Sequence, residues 1–248
     1  MSKIISIVGL TASGKTGIGI KVAKQFNGEV ISVDSRQVYR GLDIGSAKVT
    51  QDEMDGIPHH LIDIIDPPKE GEWIAPKALF DVHTFQQMAG KLIKEIQSRG
   101  KVPILVGGTG LYSRALIENY GFDNNHGKRE YDVLQICLLP LKELLLPIIE
   151  RRNVERLNLG MIEETKNLLK DGVCKQWLRS LGLDYMLAVD YLDGVYTMDE
   201  YKYWLTTKTM QFAKRQRTWF KKEKNTIFLE NPNEFLSESM RLVNEFLA

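Results

Sequence analysis

The sequence is poor in cysteine, in net charge and in repetition. Its two cysteines, Cys137 and Cys174, lack the spacing of a metal site, which predicts structural thiols in a reducing compartment. The formal net charge of +1 favours no class of partner by itself. No internal repeat or low-complexity tract occurs. With 248 residues, 43% of them hydrophobic, we expect a globular protein of one large domain, or one domain with an appendage.

Long hydrophobic runs are also missing. The most apolar later stretch, 134–149, is interrupted by two prolines and by Lys142 and Glu143, so it cannot span a bilayer. Only five largely apolar residues precede the first motif, which is too short for a signal-peptide core. We therefore expect a cytoplasmic monomer without a membrane segment.

A phosphate-binding pattern lies near the N-terminus. A β-branched run at 4–8 predicts a buried strand, and residues 17–26 predict a helix. The intervening residues fit the pattern G-x-x-x-x-G-K-[ST], and the alternative is a chance match in a tight turn. They are Gly9, Leu10, Thr11, Ala12, Ser13, Gly14, Lys15 and Thr16.

Each residue type in this loop has a physical reason. Gly9 and Gly14 let the backbone turn so that N–H groups point inward, and the helix N-terminus adds partial positive charge. Lys15 supplies a point charge for the outer phosphates of a di- or triphosphate, and the Thr16 hydroxyl is placed to hold Mg²⁺. Nucleotide or diphosphate binding is the prediction.

Two further strands end in polar residues. Residues 29–33 predict a strand that is followed by Asp34, Ser35, Arg36 and Gln37. Ligands of open parallel sheets gather outside the carboxyl ends of the strands, so Asp34 should face the phosphate loop. The alternative is a surface Asp or a helix cap.

The strand predicted at 102–106 ends in Gly107-Gly108-Thr109-Gly110. A motor ATPase usually has an Asp there to organise Mg²⁺. Because Thr109 and glycines stand there instead, a transferase is favoured over a hydrolytic motor.

The remaining segments are mostly loop or helix. Residues 41–72 predict a long loop-rich crossing, in which His59 and His60 are expected to be hydrogen-bonded structural residues. An amphipathic helix is predicted over 85–96, a strand over 133–139 and helices from Lys142 and over 160–169. Thr197 to Glu200 match a capping box that opens a long helix.

Two groups of basic residues have open interpretations. Arg151, Arg152 and Arg156 could close over phosphates or form a solvated helix face. Between 208 and 224, seven basic residues stand against one acidic residue, with aromatic residues between them. This segment favours contact with RNA backbone, and an ordinary exposed helix end is the alternative.

These elements predict an α/β fold of the phosphate-loop NTPase type. A parallel sheet flanked by helices should occupy residues 1–140, and a mostly helical part, 141–248, should pack on it as one compact unit. Residues 118–131 predict a short polar surface connection before the last strand of the first part.

Several strings together resemble the tRNA dimethylallyltransferase family. Besides the phosphate loop they follow the order of the family's motifs and cover most of the chain: 31–39 (ISVDSRQVY), 45–48, 57–67 (IPHHLIDIIDP), 106–112 (VGGTGLY), 159–169 (LGMIEETKNLL) and 213–220 (AKRQRTWF). The resemblance implies transfer of a dimethylallyl group from dimethylallyl diphosphate to N6 of the adenosine next to the anticodon in tRNA.

The resemblance also implies roles for individual residues. The phosphate loop would bind the donor diphosphate with Mg²⁺ at Thr16, Asp34 would be the general base, and Thr109 would lie beside the target adenosine. The implied tRNA contacts are Asp34, Ser35, Arg36, Gln37, Lys214, Arg215, Gln216 and Arg217.

The chain also departs from the family pattern. At the position between Tyr112 and Val133, the family usually carries a helical insertion that binds the anticodon arm. This chain has only a short polar connection there. Met210 replaces a usual Arg, and Gly182-Leu183 a usual Gly-Tyr pair. Three alternatives stay open: prenylation of a free adenine nucleotide, a small-molecule kinase with the Arg151–Arg156 group as its lid, and a non-catalytic RNA-binding module.

Overall fold

A computed structural model describes residues 2–73, 79–120 and 130–248 of the chain. Most of the predicted connection 118–131 therefore lies outside the described residues. Within the described residues, strands form one sheet in the order β3-β2-β4-β1-β5-β6, and all neighbouring pairs are parallel. The strands are β1 (Ser2–Gly9), β2 (Gly28–Val33), β3 (His59–His60), β4 (Val102–Gly107), β5 (Tyr131–Leu138) and β6 (Thr226–Leu229).

Helices cover both faces of this sheet. The described helices are α1 (Lys15–Gln25), α2 (Gln51–Met54), α3 (Val82–Ser98), α4 (Gly110–Ile117), α5 (Lys142–Asn158), α6 (Met161–Lys170), α7 (Lys175–Ser180), α8 (Leu183–Leu192), α9 (Met198–Phe220) and α10 (Phe235–Leu247). None of the helices in these residues is long and apolar enough to cross a membrane.

The four central strands, β1, β2, β4 and β5, are mostly apolar because both faces of the sheet are buried. Side chains alternate between faces, so Ile4 and Leu105 join the core beneath α3 and α4, while Ile5 and Ile104 join the core beneath α1 and α10. A third cluster packs α5 and α9 over the carboxyl end of β1 and β5. The predicted α/β class and parallel sheet are confirmed.

The predicted local signals also appear at their expected places. The Thr197 hydroxyl accepts a hydrogen bond from the Glu200 N–H, and the Glu200 side chain binds the Thr197 N–H, so the capping box opens α9. His59 binds the Ile57 carbonyl and His60 binds the Glu29 carboxylate, as expected for structural histidines. Both cysteines are buried and unbonded.

The C-terminal part contributes to the sheet as well as to the helices. β6 pairs with β5 from Thr226 to Leu229, although the sequence predicted no strand there. The strand escaped prediction because it has four residues and leaves Ile227 and Phe228 exposed on the sheet edge. The predicted division at residue 140 stays a prediction. β6 lies after residue 140 in the sequence but pairs with β5, which lies before it.

Candidate active site at the carboxyl edge of the sheet

The phosphate loop connects the end of β1 to the start of α1. Gly9, Ala12 and Gly14 have φ angles of 145°, 61° and 82°, so the turn uses backbone conformations that L side chains rarely adopt. A Cβ at Gly9 would lie 2.3 Å from the Leu138 carbonyl oxygen, so only glycine fits there. The N-terminus of α1, with its partial positive charge, therefore begins directly at the loop.

Lys15 points back along this loop. Its Nζ donates a hydrogen bond of 2.6 Å to the Leu10 carbonyl. The pKa of Lys15 is lowered to about 8, mainly by burial and also by the Arg152 charge, while Asp34 opposes the shift. The mutual influence of Lys15, Arg152 and Asp34 means that these three side chains share one electrostatic environment.

Asp34 follows β2 and Thr109 follows β4, and β4 lies between β2 and β1 in the sheet. Val33 pairs with Gly107, Gly107 pairs with Val8, and the Thr109 N–H donates to the Val33 carbonyl at 3.2 Å. In the strand order β2-β4-β1, Asp34, Thr109 and the phosphate loop therefore leave the same sheet edge side by side.

The Asp34 carboxylate is held by its own turn. Its Oδ1 accepts hydrogen bonds from the N–H groups of Arg36 at 2.8 Å and of Gln37 at 3.3 Å. Its Oδ2 has no hydrogen-bond partner among the described residues. No described helix begins at Asp34, so these bonds close a turn and do not cap a helix, and one oxygen remains without a partner.

The next residues are bonded within the protein. Arg36 donates to the Asp184 carboxylate at 3.3 Å and to the Leu181 carbonyl at 2.6 Å. The Gln37 amide accepts from the Ser32 hydroxyl and donates to the Ala47 carbonyl. Ser35 is half-buried beside them. These contacts fix the turn that carries Asp34.

The arginines of α5 have three different environments. Arg152 donates from Nη1 to the Thr11 hydroxyl at 3.2 Å, so it reaches the phosphate loop. Arg156 is buried and donates to the carbonyls of residues 44 and 45. Arg151 is exposed and lies 3.7 Å from Glu155. The cluster is thus neither wholly a phosphate lid nor wholly a solvated face. Sequence reasoning offered only the clustering and did not select Arg152.

The basic string on α9 is divided in the same way. Lys214 and Arg215 are exposed, and the Arg215 guanidinium lies 5.8 Å from the centre of the Phe212 ring. Gln216 is buried against the phosphate loop, and Arg217 donates to the Pro140 carbonyl. Only the first two of these four residues present their side chains to solvent.

Comparisons with known proteins agree with this architecture. The chain matches the family model described as IPP transferase over residues 37–127 and 122–223. It is 34% identical to the tRNA dimethylallyltransferase of Carboxydothermus hydrogenoformans, covering 95% of this chain and 94% of that protein. It is 33% identical to that of Halalkalibacterium halodurans, covering 99% and 96%. The structure of the full-length tRNA isopentenylpyrophosphate transferase from Bacillus halodurans superposes with a TM-score of 0.87, at 32% identity over 100% of this chain and 97% of that one.

These comparisons also show that a relative has aligned positions that this chain lacks. The alignment with the Carboxydothermus protein runs over 303 positions, so at least 55 of them have no counterpart among the 248 residues of this chain. The two segments that match the family model meet at 122–127, inside the connection 118–131. That the missing positions belong to an insertion between Tyr112 and Val133 stays a prediction.

Proposed function

The chain belongs to the IPP transferase family, and from this premise we propose that it transfers a dimethylallyl group from dimethylallyl diphosphate to N6 of the adenosine next to the anticodon in tRNA. One observation carries the proposal. The phosphate loop, the Asp34 carboxylate and Thr109 leave neighbouring parallel strands at one sheet edge. A donor diphosphate in the loop would therefore face an acid–base group and a hydroxyl.

The reaction exchanges one bond for another. The N6 amine attacks C1 of the dimethylallyl group while the C1–O bond breaks, and the electron pair of that bond leaves with diphosphate. An exocyclic amine is a weak nucleophile, so a carboxylate that accepts its proton as the C–N bond forms lowers the barrier. Asp34 Oδ2 is our candidate for this base.

The leaving group needs positive charge around it. Lys15 donates a hydrogen bond to the Leu10 carbonyl of the loop, and Arg152 donates one to the Thr11 hydroxyl. Together with the N-terminus of α1, they would stabilise the charge that grows on the departing diphosphate. Gly9 to Thr16 form the proposed diphosphate-binding loop.

The loop also suits Mg²⁺. The Thr16 hydroxyl is exposed in the first turn of α1, and no described residue binds it. Among the described residues, no group of three acidic, histidine or cysteine side chains forms a separate metal site, so diphosphate oxygens and water would complete the coordination. A bound Mg²⁺ would offset charge on the diphosphate.

The acceptor must present its base outside the stack. Asp34 and Thr109 are half-buried at the carboxyl edge of the sheet, so the adenine would leave its stacked position to reach them, at a cost of a few kcal/mol. We propose that Thr109 lies beside this adenine, and that Ser35, Arg36 and Gln37 line its entrance. The exposed side chains of Lys214 and Arg215 are the proposed contacts to the RNA backbone, and the cytoplasm is the compartment in which a monomer would meet tRNA.

The test is a transfer assay with three acceptors. The protein is incubated with dimethylallyl diphosphate, Mg²⁺ and either an unmodified anticodon stem-loop, the matching whole tRNA or AMP, and the nucleosides are analysed by mass. We expect N6-dimethylallyl adenosine from both RNAs and none from AMP. Product from AMP alone would refute the tRNA assignment, and transfer of labelled γ-phosphate from ATP without prenyl transfer would indicate a kinase.

A further inference from the structure

One side chain of α9 joins the donor loop to the acceptor turn. The Thr11 N–H donates to Gln216 Oε1 at 2.7 Å, and Gln216 Nε2 donates to the Gly108 carbonyl at 3.0 Å. Gln216 is 6% exposed, so both bonds are shielded from water. The amide thus connects the loop proposed to hold diphosphate with the residue directly before Thr109.

The orientation of this amide is fixed by its partners. One partner is a donor and the other is an acceptor, so a rotated amide would place N–H against N–H and oxygen against oxygen. Both bonded groups belong to the backbone, so the contact positions the two loops and not merely their side chains. Leaving both backbone groups buried without partners would be unfavourable, because each would lose its hydrogen bond without regaining one to water.

The acceptor turn is shaped to receive α9. A Cβ on Gly108 would lie 2.5 Å from Gln216 Nε2, and a Cβ on Gly110 would lie 2.2 Å from Trp219 Nε1. Gln216 and Trp219 are three residues apart, so they lie on one face of the helix. Two glycines on either side of Thr109 therefore let α9 approach the turn closely.

The end of α9 is also anchored to α4. Arg114 lies over the Trp219 ring at 4.4 Å from its centre and pairs with Glu223 at 2.6 Å. Because α4 begins at Gly110, directly after Thr109, this contact prevents α9 from sliding relative to the turn. The helix can therefore hold a fixed separation between the two loops.

We propose that Gln216 is a positioning residue that sets the distance between the donor and acceptor halves of the site. The proposal rests on the proposed function for the identity of the two halves. It replaces the direct tRNA contact that the sequence suggested for this side chain. Since a shift of about 1 Å can cost 10²-fold in rate, a lost bridge should slow transfer more than it weakens either ligand.

Gln216→Met tests the bridge at nearly constant volume, because Met fills similar space and makes neither hydrogen bond. We expect the single-turnover rate to fall about 10- to 100-fold. The Kd values for inorganic pyrophosphate and for the stem-loop should stay within about threefold, since neither half is removed. Gln211→Met is the matched control, because Gln211 is exposed on the same helix, and it should retain the wild-type rate.

A double-mutant cycle isolates the contact. Gly108→Ala should slow the protein that has Gln216, because the added Cβ displaces the amide. The other atom near that Cβ is the Gly9 carbonyl oxygen at 3.6 Å, an ordinary contact. In a Gln216→Ala background the same change should therefore have less than a threefold effect.

Two measurements separate the possible failures. A loss of RNA affinity in Gln216→Met with an unchanged rate at saturating RNA would overturn the proposal in favour of a tRNA contact. The proposal would also be overturned if Gly108→Ala lowered the rate by the same factor in the wild-type and Gln216→Ala backgrounds. Faster hydrogen exchange at the Thr11 amide in Gln216→Met is expected even without turnover, and unchanged exchange would refute the bridge. A wild-type protein that makes no product would refute the proposed function but not the bridge.

Discussion

Asp34 has a structural role, and its side chain is also the one proposed as the general base. Its Oδ1 closes the turn by accepting two backbone N–H groups, so the carboxylate cannot swing away from the sheet edge. Its Oδ2 is the atom available to a substrate. A turn that fixes one oxygen therefore orients the other, which is how a short polar side chain can act as a preorganised base.

Asp34→Asn separates these roles. The amide oxygen can still accept from the N–H groups of Arg36 and Gln37, so the turn should persist, but the amide cannot take a proton. We expect the rate of prenyl transfer to fall about 10²- to 10⁴-fold with pyrophosphate affinity almost unchanged. Rapid-quench kinetics and calorimetry measure the two quantities, with exposed Asp132→Asn as control. A rate within threefold of wild type would exclude Asp34 as the base.

Lys15 makes diphosphate affinity depend on pH. Burial and the Arg152 charge lower its pKa from 10.5 to about 8, so the group is a cation below pH 8 and neutral above it. Anion affinity should therefore fall as pH rises through 8, with a slope that approaches tenfold per pH unit.

The measurement is pyrophosphate binding from pH 6.5 to 9.5, expressed as the ratio of wild-type to Lys15→Ala affinity. The ratio cancels the titration of pyrophosphate itself. The ratio of the pyrophosphate affinity of Lys15→Arg to that of Lys15→Ala should not change with pH, because guanidinium remains charged throughout this range. A flat ratio in the wild type would show that Lys15 does not titrate near pH 8.

At the scale of elements, a loop after β2 is held by two helices. The Glu164 carboxylate of α6 accepts from the N–H groups of residues 43, 44 and 45 at 3.0, 2.6 and 2.9 Å, and from the Tyr185 hydroxyl at 2.9 Å. Burial, with Glu164 beside it, raises the pKa of Tyr185 well above its usual range, so the phenol remains a donor. Arg156 of α5 binds the carbonyls of the same loop. The segment is thus ordered by side chains from α5 and α6, and Tyr185 of α8 donates to the α6 carboxylate.

Glu164→Ala should destabilise the fold. Three backbone donors and the Tyr185 hydroxyl would lose their acceptor, and we expect a loss of about 2–3 kcal/mol in the free energy of unfolding. The adjacent Glu163→Ala removes only an exposed carboxylate 3.5 Å from Lys166 and should cost less than about 0.5 kcal/mol. Urea denaturation compares the two variants, and similar losses would contradict the importance of this clamp.

Elements differ in how far sequence predicts them. β1, β2, β4 and β5 were predictable because their apolar residues are buried on both faces of the sheet. The Thr197 box predicted the start of α9 because a cap is a local interaction. α4 was hidden because it begins within a glycine-rich turn, and only tertiary packing against Trp219 reveals why those glycines are needed.

The candidate-site residues also differ in whether local sequence or only long-range contacts indicate them. Asp34 was selected from the sequence because polar residues after parallel strands share one edge, whereas the role of Thr109 came from the family resemblance. The Arg152 contact with Thr11 and the Gln216 contact with Thr11 span 141 and 205 residues of sequence. No local pattern indicates contacts between residues so far apart in sequence. The family resemblance therefore implied a tRNA contact for Gln216, and the sequence did not distinguish Arg152 from Arg151 and Arg156. The roles of these residues stay predictions for the experiments described.

At the scale of the molecule, positive charge is concentrated although the net charge is +1. Residues 201–222 contain seven basic and no acidic side chains. Lys214 and Arg215 lie exposed in this region, one turn from the Gln216 bridge. This chain lacks at least 55 positions of the alignment with one relative, so fewer residues are present to bind an RNA arm. Each exposed cation should therefore contribute a larger share of the RNA affinity.

Replacing Lys214 and Arg215 together by Ala should therefore weaken stem-loop binding and flatten its salt dependence. Each lost phosphate contact removes about one unit from the slope of log affinity against log salt, so we expect a decrease of about two. Lys166→Ala with Lys170→Ala removes the same charge from the exposed side of α6 and should leave the slope unchanged. Binding is measured by fluorescence anisotropy at several salt concentrations. Equal slopes in the α9 double variant and the wild type would mean that this helix face is only solvated, and that tRNA is held by other surfaces.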